Sequence, residues 1–274
     1  ESPKWDGRCP GCGAWGSYTE VSKFAKGRPV GGIPLVMDKP QTLTDAALTP
    51  VKRIPTGLCE TDRVLGGGLV PGALVLVAGD PGIGKSTLLL QIGANLAGAG
   101  LSTLYASGEE SAEQVGLRAQ RLGIANSDML FLQETSTEHL IARLEQEKPG
   151  ALIVDSIQTL APQEAPLGAG GVMQVRESTL QLLKWAKTSG VPVVLAGHVT
   201  KDGSIAGPKV LEHMVDVVLQ LEGDSVSSNR VLRCSKNRFG ATEELALYEM
   251  GVDGLSEVID PSAVLVSQRR AGVP

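Results

Sequence analysis

The chain has 274 residues, a formal net charge of −5, 34 glycines, four cysteines and 3% aromatic residues. That length accommodates one large domain with an accessory piece. The composition excludes a disulfide scaffold, a chain-wide basic field for nucleic acid, an aromatic stacking platform and, with no apolar run of sufficient length, a membrane-spanning helix.

The stretch 1–27 holds Cys9-Pro10-Gly11-Cys12. Such a knuckle presents two thiolates, half of a tetrahedral zinc site. Its turn-rich surroundings do not suit a thioredoxin-like redox pair. Neither Cys59 nor Cys234 has a cysteine or histidine at knuckle spacing, and Cys234 lies in the apolar run "RVLRCS", where a buried inert thiol is expected. The two missing ligands are therefore expected just before Glu1. Residues 28–56, rich in proline and glycine, read as an extended linker. No signal peptide is visible, and a reducing cytoplasm is the expected compartment.

A regular alternation follows. "ALVLVAG" (73–79) reads as a fully buried strand, and "GKSTLLLQIGANLAGAG" (84–100) as a helix ending in glycine. "LSTLYAS" is the next strand, then a helix capped by Ser111 and ended by Gly123. The strand "MLFL", the helix "STEHLIARLEQEK", the strand "ALIVDS" (151–156), the helix 172–190 and the strand "VPVVLAGH" continue the rhythm. Near-continuous apolar strands alternating with helices predict an α/β fold, a mostly parallel sheet covered on both faces. From "MVDVVLQLEG" onward, three strands joined by short turns predict an antiparallel C-terminal extension.

"GDPGIGKS" matches G-x-x-x-x-G-K-[ST] at Gly79, Gly84, Lys85 and Ser86, between a strand and a helix, which is the context the motif requires. Backbone N–H groups of such a loop wrap phosphates, the lysine reaches the β/γ-phosphates of ATP and the serine hydroxyl ligates Mg²⁺. Asp155, closing the run "ALIVD", is the expected second acid of the Mg²⁺ shell. Glu109 and Glu110 follow the next strand and fall at the same C-terminal edge of a parallel sheet. Either can orient the attacking water, or serve only as a carboxylate at the N-terminus of the following helix. His198 ends its strand as a γ-phosphate sensor or as a satisfied polar group.

"SPKWDGRCPGCGAWGS", "GDPGIGKSTLLLQ", "YASGEES", "GHVTKDGSIAGPKVLEHMVD" and "KNRFG" (236–240), in this order, resemble the bacterial RadA (Sms) family of DNA-repair ATPases. The resemblance covers essentially the whole chain and rests on KNRFG with the knuckle, since the P-loop alone is generic. It implies a four-cysteine zinc finger, a RecA-like P-loop ATPase and a C-terminal Lon-protease-like domain. On that pattern residues 1–27 are a partial finger, 28–56 the linker, 57–262 the ATPase domain and 263–274 the start of a linker to a Lon-like domain. Zn²⁺ is then expected only in a longer chain that supplies the other knuckle. The resemblance assigns ATP contacts to Gly79, Asp80, Pro81, Gly82, Ile83, Gly84, Lys85, Ser86 and Thr87. Similarity to RecA-like hexameric helicases selects Glu109 over Glu110 as the water-activating acid. Lys236 and Arg238 resemble basic fingers that reach the ATP of a neighbouring subunit. By family position, the loops 159–172 and 199–210 line a central channel, with Lys201 and Lys209 on DNA phosphates. The implied protein is a DNA-dependent ATPase motor, a hexameric ring handling single-stranded or branched recombination intermediates beside a RecA recombinase, with no membrane role. A regulatory ATPase or autokinase of the circadian-clock type shares the P-loop and paired glutamates but lacks the knuckle and KNRFG. A small-molecule kinase would need an acceptor pocket and a lid-like insertion, which the sequence does not offer.

Overall fold

The computed structural model describes residues 42, 44, 51–163, 171–198, 210–223 and 228–258. All of them belong to one compact unit, Gln41–Pro274. Cys9, Cys12, Lys201, Lys209, most of the stretch read as linker and the residues from 259 onward lie outside the described residues.

In chain order the elements are α1 (Cys59–Leu65), β1 (Leu74–Gly79), α2 (Lys85–Gly98), β2 (Thr103–Ser107), α3 (Ala112–Arg121), β3 (Leu130–Gln133), α4 (Thr137–Glu147), β4 (Ala151–Asp155), a 3₁₀ turn at Ile157–Thr159, α5 (Val172–Ser189), β5 (Val193–His198), α6 (Val210–Met214), β6 (Val217–Gly223), β7 (Asn229–Asn237), β8 (Leu245–Gly251) and β9 (Gly254–Glu257). The strands form one nine-stranded sheet in the order β3-β2-β4-β5-β1-β6-β7-β8-β9. From β3 to β6 every pairing is parallel; β6 to β9 are antiparallel. The expected α/β fold and its antiparallel extension are both present.

Strand alternation splits the core in two. Val75 and Val77 of β1 face one layer with Leu88, Leu89 and Ile92 of α2. Leu74 and Leu76 face the other with Leu140 of α4 and Leu182 and Trp185 of α5. Helices on both faces explain why β1, β2 and β4 are buried along their whole length. β3 is the exception, a partly exposed strand at the sheet edge.

Local signals set the helix ends. Ser111 accepts from Gln114 N while the Gln114 side chain accepts from Ser111 N, a capping box. Gly123 sits past the end of α3 at φ +69, where Gly123 N and Ile124 N donate to Gln120 O and Ala119 O, a Schellman ending. α2 closes in the same way at Gly100. The described end of the linker stretch is already tied to the domain, since Ile54 and Leu69 exchange backbone hydrogen bonds at 2.8 Å.

Candidate active site

The loop 79–84 leaves β1 and enters α2. Gly82 and Gly84 have φ of +77° and +119°, backbone that favours glycine. A Cβ on Gly84 would stand 2.5 Å from Met250 Cε of β8, so a side chain there would have to displace the end of that methionine. Around Gly82 nothing lies within 4 Å of such a Cβ, which leaves the mouth of the loop open. Lys85 folds back over the loop, and its Nζ donates to Gly79 O at 2.8 Å and Asp80 O at 2.9 Å. Burial pushes its pKa down, while the charges of Asp155, Asp80 and Glu109 pull it back in part. The N-terminus of α2 points its unpaired N–H groups at the same place.

Sheet register assembles the rest. Gly79 of β1 lies beside His198 of β5, and Ser107 of β2 beside Asp155 of β4. The two turns that follow β2 and β4 therefore leave from one edge, next to the P-loop. Asp155 is 7% exposed and accepts from the Tyr105 hydroxyl at 2.6 Å. Burial, and after it the Asp155 charge, raises the Tyr105 pKa well above the phenolic value, so the hydroxyl remains a donor. Ser86, in the first turn of α2, and Asp155 are the oxygen ligands that would hold Mg²⁺. One hydroxyl and one carboxylate suit an ion that keeps waters and phosphate oxygens in its shell. Among the described residues no group of three or more His, Cys, Asp or Glu could hold a metal ion.

The two glutamates separate cleanly. Glu109 accepts from Ser156 Oγ at 2.6 Å and lies 3.7 Å from His198 Nε2. Glu110 is paired with Arg118 of α3, its own following helix. Ser107 Oγ accepts from the N–H groups of both, which fixes the turn. A Cβ on Gly108 would meet Thr159 Oγ1 at 2.4 Å, so the turn can press against the 3₁₀ turn after β4 only with glycine there. His198 Nδ1 is buried without a partner among the described residues.

KNRFG lies elsewhere. β7 is antiparallel, with Arg230 opposite Gly223 at the P-loop edge and Lys236 opposite Val218 at the other edge. Six residue steps of strand separate the two, roughly 20 Å. Lys236 Nζ donates to Glu212 O and Val215 O at the end of α6, at 2.5 and 2.8 Å. Burial first, and then the neighbouring Arg238, lower its pKa. Arg238 is exposed, with Nη1 3.6 Å from the buried carboxylate of Asp216. Asn237 Nδ2 donates to Leu65 O and Arg53 Nη2 to Phe239 O, so the motif is stitched to its own domain. The structure thus brings Lys85, Ser86, Asp155, Glu109 and His198 together and holds Lys236 and Arg238 away from them.

Two residues of this edge escape sequence reasoning. Tyr105 reads as one more core residue of β2, and Arg230 as a surface cation at a strand start. Arg230 is 9% exposed, and its Nε donates to Ile83 O inside the P-loop at 3.0 Å.

The family model for the AAA domain matches residues 39–204. The chain is 49% identical over 276 residues to the DNA repair protein RadA of Bacillus subtilis and 47% identical over 274 residues to that of Pseudomonas aeruginosa, which bears out the resemblance read from its motifs. Those matches cover 99% of this chain and 60% of each relative, so the chain spans about three fifths of their length. Two solved structures share the fold. A KaiC-like protein of Pyrococcus horikoshii superposes with a TM-score of 0.63 at 22% identity, over 76% of this chain and all of that one. The ATPase domain of G40P gives 0.66 at 16%, over 78% and 94%.

Proposed function

Because the chain belongs to the AAA-domain family, we propose that it is the ATPase part of a DNA-repair motor that hydrolyses ATP as it moves on single-stranded or branched DNA. The observation that carries the chemistry is the register that gathers Lys85, Asp155, Glu109 and His198 on one sheet edge. Bound Mg²⁺ supplies neutralisation of charge developing on the β/γ-oxygens. The chain's own residues do the rest. The loop N–H groups and Lys85 hold the phosphates. Glu109, fixed by Ser156, takes the proton of the attacking water. His198, 3.7 Å from that carboxylate, is the group through which the γ-phosphate is read.

The DNA role is drawn from the RadA relatives and from the loops after β4 and β5. Lys201 and Lys209 on the second loop would bind phosphates without sequence preference, and the affinity would fall with salt. In a ring, Lys236 and Arg238 would face a neighbour's ATP, because β7 carries them to the edge opposite their own P-loop. RecA recombinase is the partner this role implies, and the Cys9–Cys12 knuckle would complete a zinc site with ligands from outside this sequence. The test is the ATPase rate with and without single-stranded DNA. Stimulation supports the reading; turnover indifferent to DNA overturns it. A regulatory ATPase that ignores DNA is the second reading, favoured by the fold shared with the KaiC-like protein.

A further inference from the structure

We infer that Arg230 is a positioning residue for the P-loop, acting through the Ile83–Gly84 peptide. The inference rests on the ATP-site reading above and adds a residue to it.

Four observations meet here. Arg230 Nε donates to Ile83 O at 3.0 Å, between residues 147 positions apart. Its side chain is buried rather than spread on the surface. A Cβ on its register partner Gly223 would fall 2.6 Å from Arg230 Cδ, so glycine on β6 clears the path along which the arginine reaches the loop. Gly84, the residue after the bonded carbonyl, holds φ +119 and opens α2.

The physical consequence follows from peptide planarity. In a trans peptide the C=O and the next N–H point in opposite directions. Holding Ile83 O toward β7 therefore turns Gly84 N–H away from β7. Gly84 has no Cβ to resist rotation of that peptide, so the restraint has to come from outside the loop. Arg230 supplies it. Lys85 engages the Gly79 and Asp80 carbonyls and Arg230 engages that of Ile83. With these carbonyls held by cations, the loop is left to present N–H groups to an anion. Arginine suits the task because its planar Nε–H has a fixed direction, whereas a lysine ammonium rotates freely.

The test uses three proteins and two probes. Wild type, R230K and R230A are titrated with ADP and with inorganic tripolyphosphate, and steady-state ATP turnover and thermal midpoints are recorded. Wild-type binding of ADP checks the ATP-site reading by itself, and its failure there would fall on that reading first. With that binding in hand, R230A is expected to weaken ADP and tripolyphosphate by the same factor, about tenfold or more for a lost hydrogen bond to a charged group. KM should rise with kcat nearly kept, since loop shape serves ground and transition states alike. R230K, which keeps the charge without the fixed Nε–H, should recover only part of the loss. Weakened ADP with unchanged tripolyphosphate would mean that Arg230 serves the nucleoside instead, and would overturn the inference. So would unchanged binding of both in R230A. If R230A proves unfolded, R230K decides: wild-type affinity for tripolyphosphate in that variant overturns the inference equally.

Discussion

Ser156 Oγ donates to Glu109 Oε1 at 2.6 Å, tying the turn after β4 to the turn after β2. The carboxylate expected to activate water is thereby held by the residue that follows the expected Mg²⁺ ligand. E109Q keeps an acceptor for Ser156 but cannot take a proton. It should bind ATP and hydrolyse it roughly 10²–10⁴-fold more slowly. S156A leaves the base in place but loose, and should lower kcat roughly tenfold with little change in KM. E110Q removes only a partly exposed pair with Arg118 and should cost at most about 1 kcal/mol of stability with turnover nearly intact. Turnover lost in E110Q and kept in E109Q would reverse the assignment.

Lys85 sets a pH limit on nucleotide binding. Burial lowers its pKa, so its positive charge is lost at lower pH than on an exposed lysine. Affinity for ADP should then fall with rising pH, by up to about tenfold per unit once the pKa of the free protein is passed. Stability moves the other way. The native state releases this proton more readily than the unfolded chain, so the group's contribution to stability rises with pH through the same window. Titrations from about pH 8 to pH 10, read beside thermal midpoints, separate the two effects. K85R should bind more weakly but with a flat profile, and a flat wild-type profile would count against Lys85 as the phosphate cation.

Tyr105 supplies a buried hydroxyl to Asp155 at 2.6 Å. Y105F preserves the ring packing and leaves the carboxylate one donor short. Urea unfolding should show a loss of about 1.5–3 kcal/mol, the range for hydrogen bonds to charged groups. Unaltered stability would show that Asp155 finds its donors elsewhere.

The opposed ends of β7 give a mixing experiment. Lys236 and Arg238 sit at the edge of the sheet away from their own P-loop, and we propose that they serve a neighbour's ATP instead. K85A subunits keep the finger and lose the P-loop; R238A subunits do the reverse. Each alone should be nearly inactive. Co-assembled, they create some interfaces with both parts intact, and ATPase activity should partly return. No recovery in mixtures shown to co-assemble would place the finger outside hydrolysis.

The sheet, its helices and the main site were legible because each rests on local signals. Apolar runs mark β1, β2 and β4, Ser111 and Gly123 mark α3, and the P-loop has its own spacing. What escaped depends on distant chain. α1 has no capping side chain at Leu58; its first N–H groups, those of Cys59 and Glu60, donate to Glu257 of β9 at 3.1 and 2.5 Å. No window around residue 58 contains that carboxylate. β9 is four residues long, and part of its support is the Gln91 side chain of α2, which bonds both Leu255 N and Leu255 O at 3.0 Å. Tyr105 and Arg230 escaped for the same reason, since their partners lie 50 and 147 residues away. The choice of Glu109 over Glu110 came from resemblance; the structure adds a reason, the Arg118 partner that occupies Glu110.

β7 joins Ile83 at one end, through Arg230, to the carbonyls closing α6 at the other, through Lys236, with Leu232 and Cys234 buried between them. An extended strand is nearly inextensible along its axis. A pull on Arg230 from the phosphate loop would run toward Lys236 along chain already near full extension, with slack at Ser235, where the β6–β7 register shifts. In a head-to-tail assembly the far end of that strand would face the next subunit. One strand would then connect a chain's own phosphate loop to its neighbour's site without a hinge.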